Sequence, residues 1–111
     1  MKRAINKLVR DNIPYICKEN GQTAETRILD NIEYTTELRR KLKEEVDEYL
    51  SSNELEELAD IVEVIEAIAE NQGSSLEEII KIKQMKQAKN GAFMDKVFLI
   101  SVDGRDINPG K

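Results

Sequence analysis

Apolar residues recur along most of this chain at helical spacing. Over residues 32–50, Leu38, Leu42, Val46 and Tyr49 follow one another at steps of 4, 4 and 3, a single stripe on one α-helix. A third helix, over about residues 54–71, carries two stripes. Leu55, Leu58, Val62, Ile65 and Ala69 form one; Ile61, Val64 and Ile68 form another beside it. A helix apolar over most of its circumference is covered on several sides, which in so short a chain implies helices from a second subunit. Before these, Pro14 and Gly21 bracket a short first helix that Asp11 or Asn12 can cap. Thr23–Leu29 reads as extended. Asn53 with Glu56 predicts an N-cap pair for the third helix. Ser74 with Glu77, or Ser75 with Glu78, opens a fourth helix that runs to about Lys89 and stops at Asn90-Gly91. Lys96–Asp103 is the one convincing strand, with Thr23–Leu29 or another subunit as its ladder partner. The expected fold is therefore all-α: a four-helix bundle with a short C-terminal strand, completed by oligomerisation.

The length, 111 residues, suits one domain, taken as residues 1–103, with 104–111 a flexible tail. No apolar run approaches the roughly 20 residues that span a bilayer. The chain has no histidine and a single cysteine, Cys17. A Ser-His-Asp triad, a Cys-His pair, histidine-ligated zinc and an internal disulfide are all excluded. Cys17 reads as a small buried residue of the first helix. The N-terminus lacks the apolar stretch of a signal peptide, and the cysteine usage fits a reducing compartment, so a cytoplasmic protein is expected. Any chemistry must rest on carboxylates, lysines, arginines or hydroxyls.

The net charge of −5 is unevenly spread: +4 over residues 1–10, −12 over 30–78 and +4 over 81–96. An acidic middle between basic ends does not make the continuous positive face that a nucleic acid requires. It suits a cation held on carboxylates with an anion reaching from it to lysines, or simply a fold whose basic ends pair with its acidic middle.

At about 100° per residue, Glu45 falls at the rim of the second helix's stripe, Glu48 joins it one turn on, and Glu44 points nearly opposite. On the third helix, the second stripe extended backward by four residues lands on Glu57, a position the periodicity reserves for an apolar side chain. Asp60 lies one turn away. A carboxylate there must be neutralised, paired or metal-bound. Four clustered acids would require a cation, and hard oxygen ligands alone select Mg²⁺, Mn²⁺ or Ca²⁺. The plainer reading makes them solvated acids of an acidic bundle, paired with Arg39, Arg40 or Lys43.

The string Glu44-Glu45-Val46-Asp47-Glu48, followed by Glu57-Leu58-Ala59-Asp60, has the form E-E-x-x-E then E-x-x-D. It resembles the signature of the MazG-like and phosphoribosyl-ATP pyrophosphohydrolase-like superfamily of all-α nucleotide pyrophosphohydrolases. Asn6-Lys7-Leu8-Val9-Arg10-Asp11-Asn12-Ile13-Pro14 resembles the opening motif of a house-cleaning branch of that superfamily, and Lys86-Gln87-Ala88-Lys89-Asn90-Gly91-Ala92-Phe93 its closing motif. Asn90 stands where that motif has arginine, and Ala92 where it has a second glycine. Together the motifs cover roughly residues 5–99. The resemblance implies Glu45, Glu48, Glu57 and Asp60 as ligands of Mg²⁺, with Mn²⁺ as the alternative. It implies Glu44 and Glu45 in catalysis, Glu44 through water activation or by supporting a ligand. Lys7, Arg10, Lys86 and Lys89 would contact phosphates, with Asp11 orienting Arg10. The reaction implied is cleavage of a nucleoside triphosphate between its α and β phosphates, by a homodimer or homotetramer. Dedicated histidine-pathway enzymes lack the opening motif, so phosphoribosyl-ATP is the less favoured substrate. The competing reading is a non-catalytic helical oligomerisation or nucleotide-sensing module. Base recognition is left open among Tyr15, Tyr34, Tyr49, Phe93 and Phe98.

Overall fold

A computed structural model describes residues 1–106. It contains α1 (Ile13–Glu19), α2 (Asn31–Ser52), α3 (Leu55–Asn71) and α4 (Leu76–Asn90), and no strand among the described residues. The chain is thus all-α. Among the described residues no helix is long and apolar enough to cross a membrane. The chain divides into two compact units, Met1–Ile79 and Ile80–Lys111, with the boundary inside α4.

The first unit is organised by the packing of α2 on α3. α2 has a strong start. The Asp30 carboxylate accepts from the Glu33 backbone N–H at 2.8 Å, and the Glu33 carboxylate accepts from the Asp30 N–H at 3.5 Å, a reciprocal capping box. Arg27 grips the same Glu33 with two N–H donors, at 3.1 and 2.6 Å. α2 stops at Asn53, which takes the left-handed conformation (φ 58°) and returns its N–H to the Tyr49 carbonyl. Only Asn53 and Glu54 separate the two helices, and so short a link turns the chain back on itself. At the far end the Asn71 side-chain amide donates to Thr35 Oγ1 at 2.9 Å, joining the end of α3 to the start of α2. The helices therefore run antiparallel.

The expected Asn53–Glu56 cap is not formed. Asn53 is spent on closing α2, and Glu54 takes the N-cap position of α3 without a side-chain hydrogen bond. Of the two alternatives for α4, Ser75 with Glu78 is the one used: Ser75 Oγ accepts from the Glu78 N–H at 3.1 Å. α1 has Asn12 at its N-cap position, with no side-chain cap bond, and Pro14 in its first turn. Cys17 is half-buried.

Among the described residues the buried apolar side chains are Leu38, Val64 and Ala69. α3 turns its second stripe to α2: Val64 is buried, and Ile61 and Ile68 are half-buried. Of its first stripe, Leu55 (81%), Leu58 (39%) and Val62 (46%) stay exposed. Ile65 is half-buried and Ala69 buried, so the uncovered part of that stripe, among the described residues, is its N-terminal half.

In the second unit, Gly91 ends α4 with φ 85°, and the turn after it closes on Lys96, whose φ is 60°. The expected strand over Lys96–Asp103 is not formed: it has no ladder partner among the described residues, and Lys96 is left-handed where a strand would be extended. Thr23–Leu29 likewise pairs with nothing through its backbone among the described residues. Of the expected tail over 104–111, residues 107–111 lie outside the described residues.

Candidate metal centre

The antiparallel pairing sets the middle of α2 against the first turns of α3. One carboxylate oxygen each from Glu45, Glu57 and Asp60 lies within 4.8 Å of the others. Glu57 sits where the apolar stripe predicts a side chain facing α2, and it is half-buried there. Glu45 is buried at 7% exposure, whereas the stripe residue Val46 is 37% exposed. The expectation of Glu45 at a rim is corrected: α3 packs across the face of α2 that carries Leu38 and Glu45, two turns apart, and draws the acid inside.

Burial is costly for this group. Glu45 Oε2 has no hydrogen-bond partner, while Oε1 lies 3.5 Å from the Lys41 ammonium. A buried carboxylate oxygen without a donor carries a desolvation penalty that pairing, protonation or a cation removes. Burial pushes the Glu45 carboxyl above its usual range, and the Glu48 and Asp60 charges add to that while Lys41 opposes it. Glu57 is also raised, first by desolvation, then by Glu48, Asp60 and Glu45. Glu48 is exposed and lies outside the triad, but its charge acts on both neighbours. Three of the four expected ligands thus converge, and the fourth flanks them. An all-oxygen set with one unpartnered buried donor fits a hard divalent ion.

Cations from the N-terminal segment reach this cluster. Arg10 donates to Asp60 Oδ1 at 2.7 Å and lies 3.7 Å from Glu63. Lys7 donates to Glu44 at 3.1 Å. Arg10 is therefore held by Asp60 and Glu63, with no bond to Asp11 among its contacts. The expected outward direction of Glu44 is also corrected. It is half-buried between Lys7 and Lys41, because the N-terminal segment covers the side of α2 that a single helical wheel leaves to solvent. Burial acts to raise the Glu44 carboxyl, but Lys7 and Lys41 outweigh it and the net shift is downward.

Lys41 and Glu63 are the residues that sequence reasoning missed. Lys41 stands three and four positions before Glu44 and Glu45, a helical spacing that already pairs charges. Of the cations weighed instead, Arg40 pairs with Glu37 and Lys43 with Asp47, while Arg39 is exposed. Beside Glu48 and Glu57 lies an open groove of about 610 Å³, lined also by Arg40, Lys43, Glu44, Asp47, Ser51 and Ser52. Lys86 and Lys89 are exposed on the later turns of α4, in the second unit.

No protein-family profile, curated protein or solved structure matches the chain.

Proposed function

We propose that the chain is a Mg²⁺-dependent nucleoside triphosphate pyrophosphohydrolase that releases a nucleoside monophosphate and pyrophosphate, in the manner of house-cleaning enzymes of the nucleotide pool. The observation that carries the reading is the convergence of Glu45, Glu57 and Asp60, one of which, Glu45, is buried with an oxygen that has no hydrogen-bond partner. The order of the three sequence motifs supports it.

Glu45, Glu57 and Asp60 would hold the ion, with Glu48 at its flank. A divalent ion supplies polarisation of phosphoryl oxygens and acidification of water. The rest falls to the protein's own groups. Glu45, with one carboxylate oxygen free of any hydrogen-bond donor, is suited to accept a proton from the attacking water. Glu44 is held ionised under Lys7 and Lys41, and it anchors the lysine that holds the other Glu45 oxygen. Lys7 and Arg10 stand beside the acids, where they can turn to phosphate charge. Lys86 and Lys89 would meet the leaving pyrophosphate. The exposed apolar face of α3 fits a homodimer or homotetramer.

One observation favours a second reading, a non-catalytic nucleotide-sensing or oligomerisation module. Arg10 and Lys7 already neutralise part of the cluster. A panel of nucleoside triphosphates assayed for pyrophosphate separates the two. The enzyme releases product with Mg²⁺ or Mn²⁺ and stops with chelator. The module yields none under any condition, whatever the nucleotide does to its melting temperature.

A further inference from the structure

The second unit carries the longest uncovered apolar stretch of the described chain. Val97 (85% exposed), Phe98 (87%), Leu99 (59%), Ile100 (89%) and Val102 (59%) are interrupted only by Ser101. Among the described residues, none of residues 97–102 forms a backbone hydrogen bond. The composition is that of a strand: three β-branched side chains and an aromatic among six residues. Its pattern is not that of a strand with one wet face. Phe98, Ile100 and Val102 would lie on one side, Val97 and Leu99 on the other, so both sides require cover. A hydrophobic edge of this kind is an aggregation hazard unless something pairs with it.

We infer that residues 97–102 form an antiparallel two-stranded ladder with the same residues of a second copy of this chain. The flanking charges select this partner and this direction. The segment begins after Lys96 and ends before Asp103. Antiparallel self-pairing lays the basic end of one copy beside the acidic end of the other. Parallel in-register stacking, the arrangement of open fibrils, sets lysine on lysine and aspartate on aspartate. An antiparallel pair of identical strands is also related by a twofold axis, so both copies use the same edge in the contact. The ladder gives the backbone N–H and C=O groups along one edge of each copy a partner, and sets apolar side chains of the two copies beside one another on each face. Symmetry places either Leu99 or Ile100 at the axis, since there alone a residue stands directly opposite itself.

The test is disulfide mapping in the Cys17→Ser chain, which is otherwise free of cysteine. Single cysteines replace Phe98, Leu99, Ile100 and Ser101 in turn, under mild oxidation. A crosslink maximum at 99 or 100, falling off on both sides, is the expected result. Equal crosslinking at all four positions, as in parallel stacking, overturns the inference. So does crosslinking at none, as when Thr23–Leu29 of a second copy or another protein takes the segment. Sedimentation of Ile100→Lys supplies the second measurement. Self-association weakens at least tenfold with far-UV circular dichroism unchanged; unaltered association counts against the ladder. Neither readout depends on pyrophosphate release, so the ladder and the enzymatic reading stand or fall separately.

Discussion

Arg10 Nη2 lies 2.7 Å from Asp60 Oδ1, a bond that joins the N-terminal segment to the first turns of α3 across fifty residues of sequence. Asp60 is at once an ion-pair partner and a member of the carboxylate triad. Arginine and a divalent ion would draw on the same carboxylate. Both members of the pair are substantially exposed, and such pairs contribute about 0.2–1 kcal/mol. Arg10→Gln is therefore expected to tighten Mn²⁺ binding by about two- to fivefold, read as loss of the free-Mn²⁺ signal in electron paramagnetic resonance. It should also slow pyrophosphate release, because the guanidinium is lost from the phosphate side. Weaker Mn²⁺ binding in the variant would show that Arg10 holds Asp60 in place for the ion instead of competing with it.

Glu57→Gln and Asp60→Asn are expected to abolish turnover while leaving the helical circular dichroism intact. Glu57 is raised by desolvation and by three neighbouring carboxylates. Removing its charge should lift the metal-free melting temperature by a few degrees. Asp60→Asn also gives up Arg10, so its melting temperature should rise less or fall. Wild-type turnover in both variants would remove the metal centre.

The clamp of Arg27 on Glu33 makes a prediction about acid stability. The paired guanidinium, together with the Asp30 backbone N–H, holds the Glu33 carboxyl down at about 2, against an ordinary 4.5. A group depressed in the folded state stabilises the fold above its unfolded pKa, and loses that contribution as pH falls through the folded one. The contribution should be complete above about pH 4.5 and fade towards pH 2. In urea titrations, Arg27→Ala should lower stability at pH 7 and differ little from wild type near pH 2. A gap that persists at the acid end would exclude the linkage.

Leu38→Ala should cost about 2–4 kcal/mol, since truncation of a buried leucine adds a cavity to the lost transfer energy. Leu38 is 3% exposed and is one of three buried apolar side chains among the described residues. Chemical denaturation measures the loss, and a change below about 1 kcal/mol would place the core elsewhere.

Lys86→Ala should raise KM or lower kcat without a change in melting temperature, since Lys86 is exposed and lies on a helix with no buried residue. An unaltered kcat/KM takes Lys86 out of the site.

The helices were legible because each carries its own punctuation. Ser75 three residues before Glu78, Gly91 after α4, and Pro14 in the first turn of α1 act locally, and the structure uses each of them. Asp30 three residues before Glu33 is the same kind of signal, and it fixes the start of α2. Asn53 failed as an N-cap because two helices compete for the residues of one short link, and the end of α2 takes it. Glu57 could be placed from periodicity, since a break in an apolar stripe is visible in one helix alone. The burial of Glu44 and Glu45 could not, because it depends on how α3 and the N-terminal segment settle against α2. Residues 97–102 have the composition of a strand, but a ladder is a property of two segments, and no single one contains it.

The brevity of the link through Asn53 and Glu54 reaches beyond geometry. All three convergent carboxylates fall between Glu45 and Asp60, so they meet as soon as the hairpin folds back. Contacts so near in sequence form early. Charge repulsion would then oppose the chain at the moment of nucleation, and a divalent ion would act as a folding catalyst as well as a ligand, quickening the reversal whose product it binds.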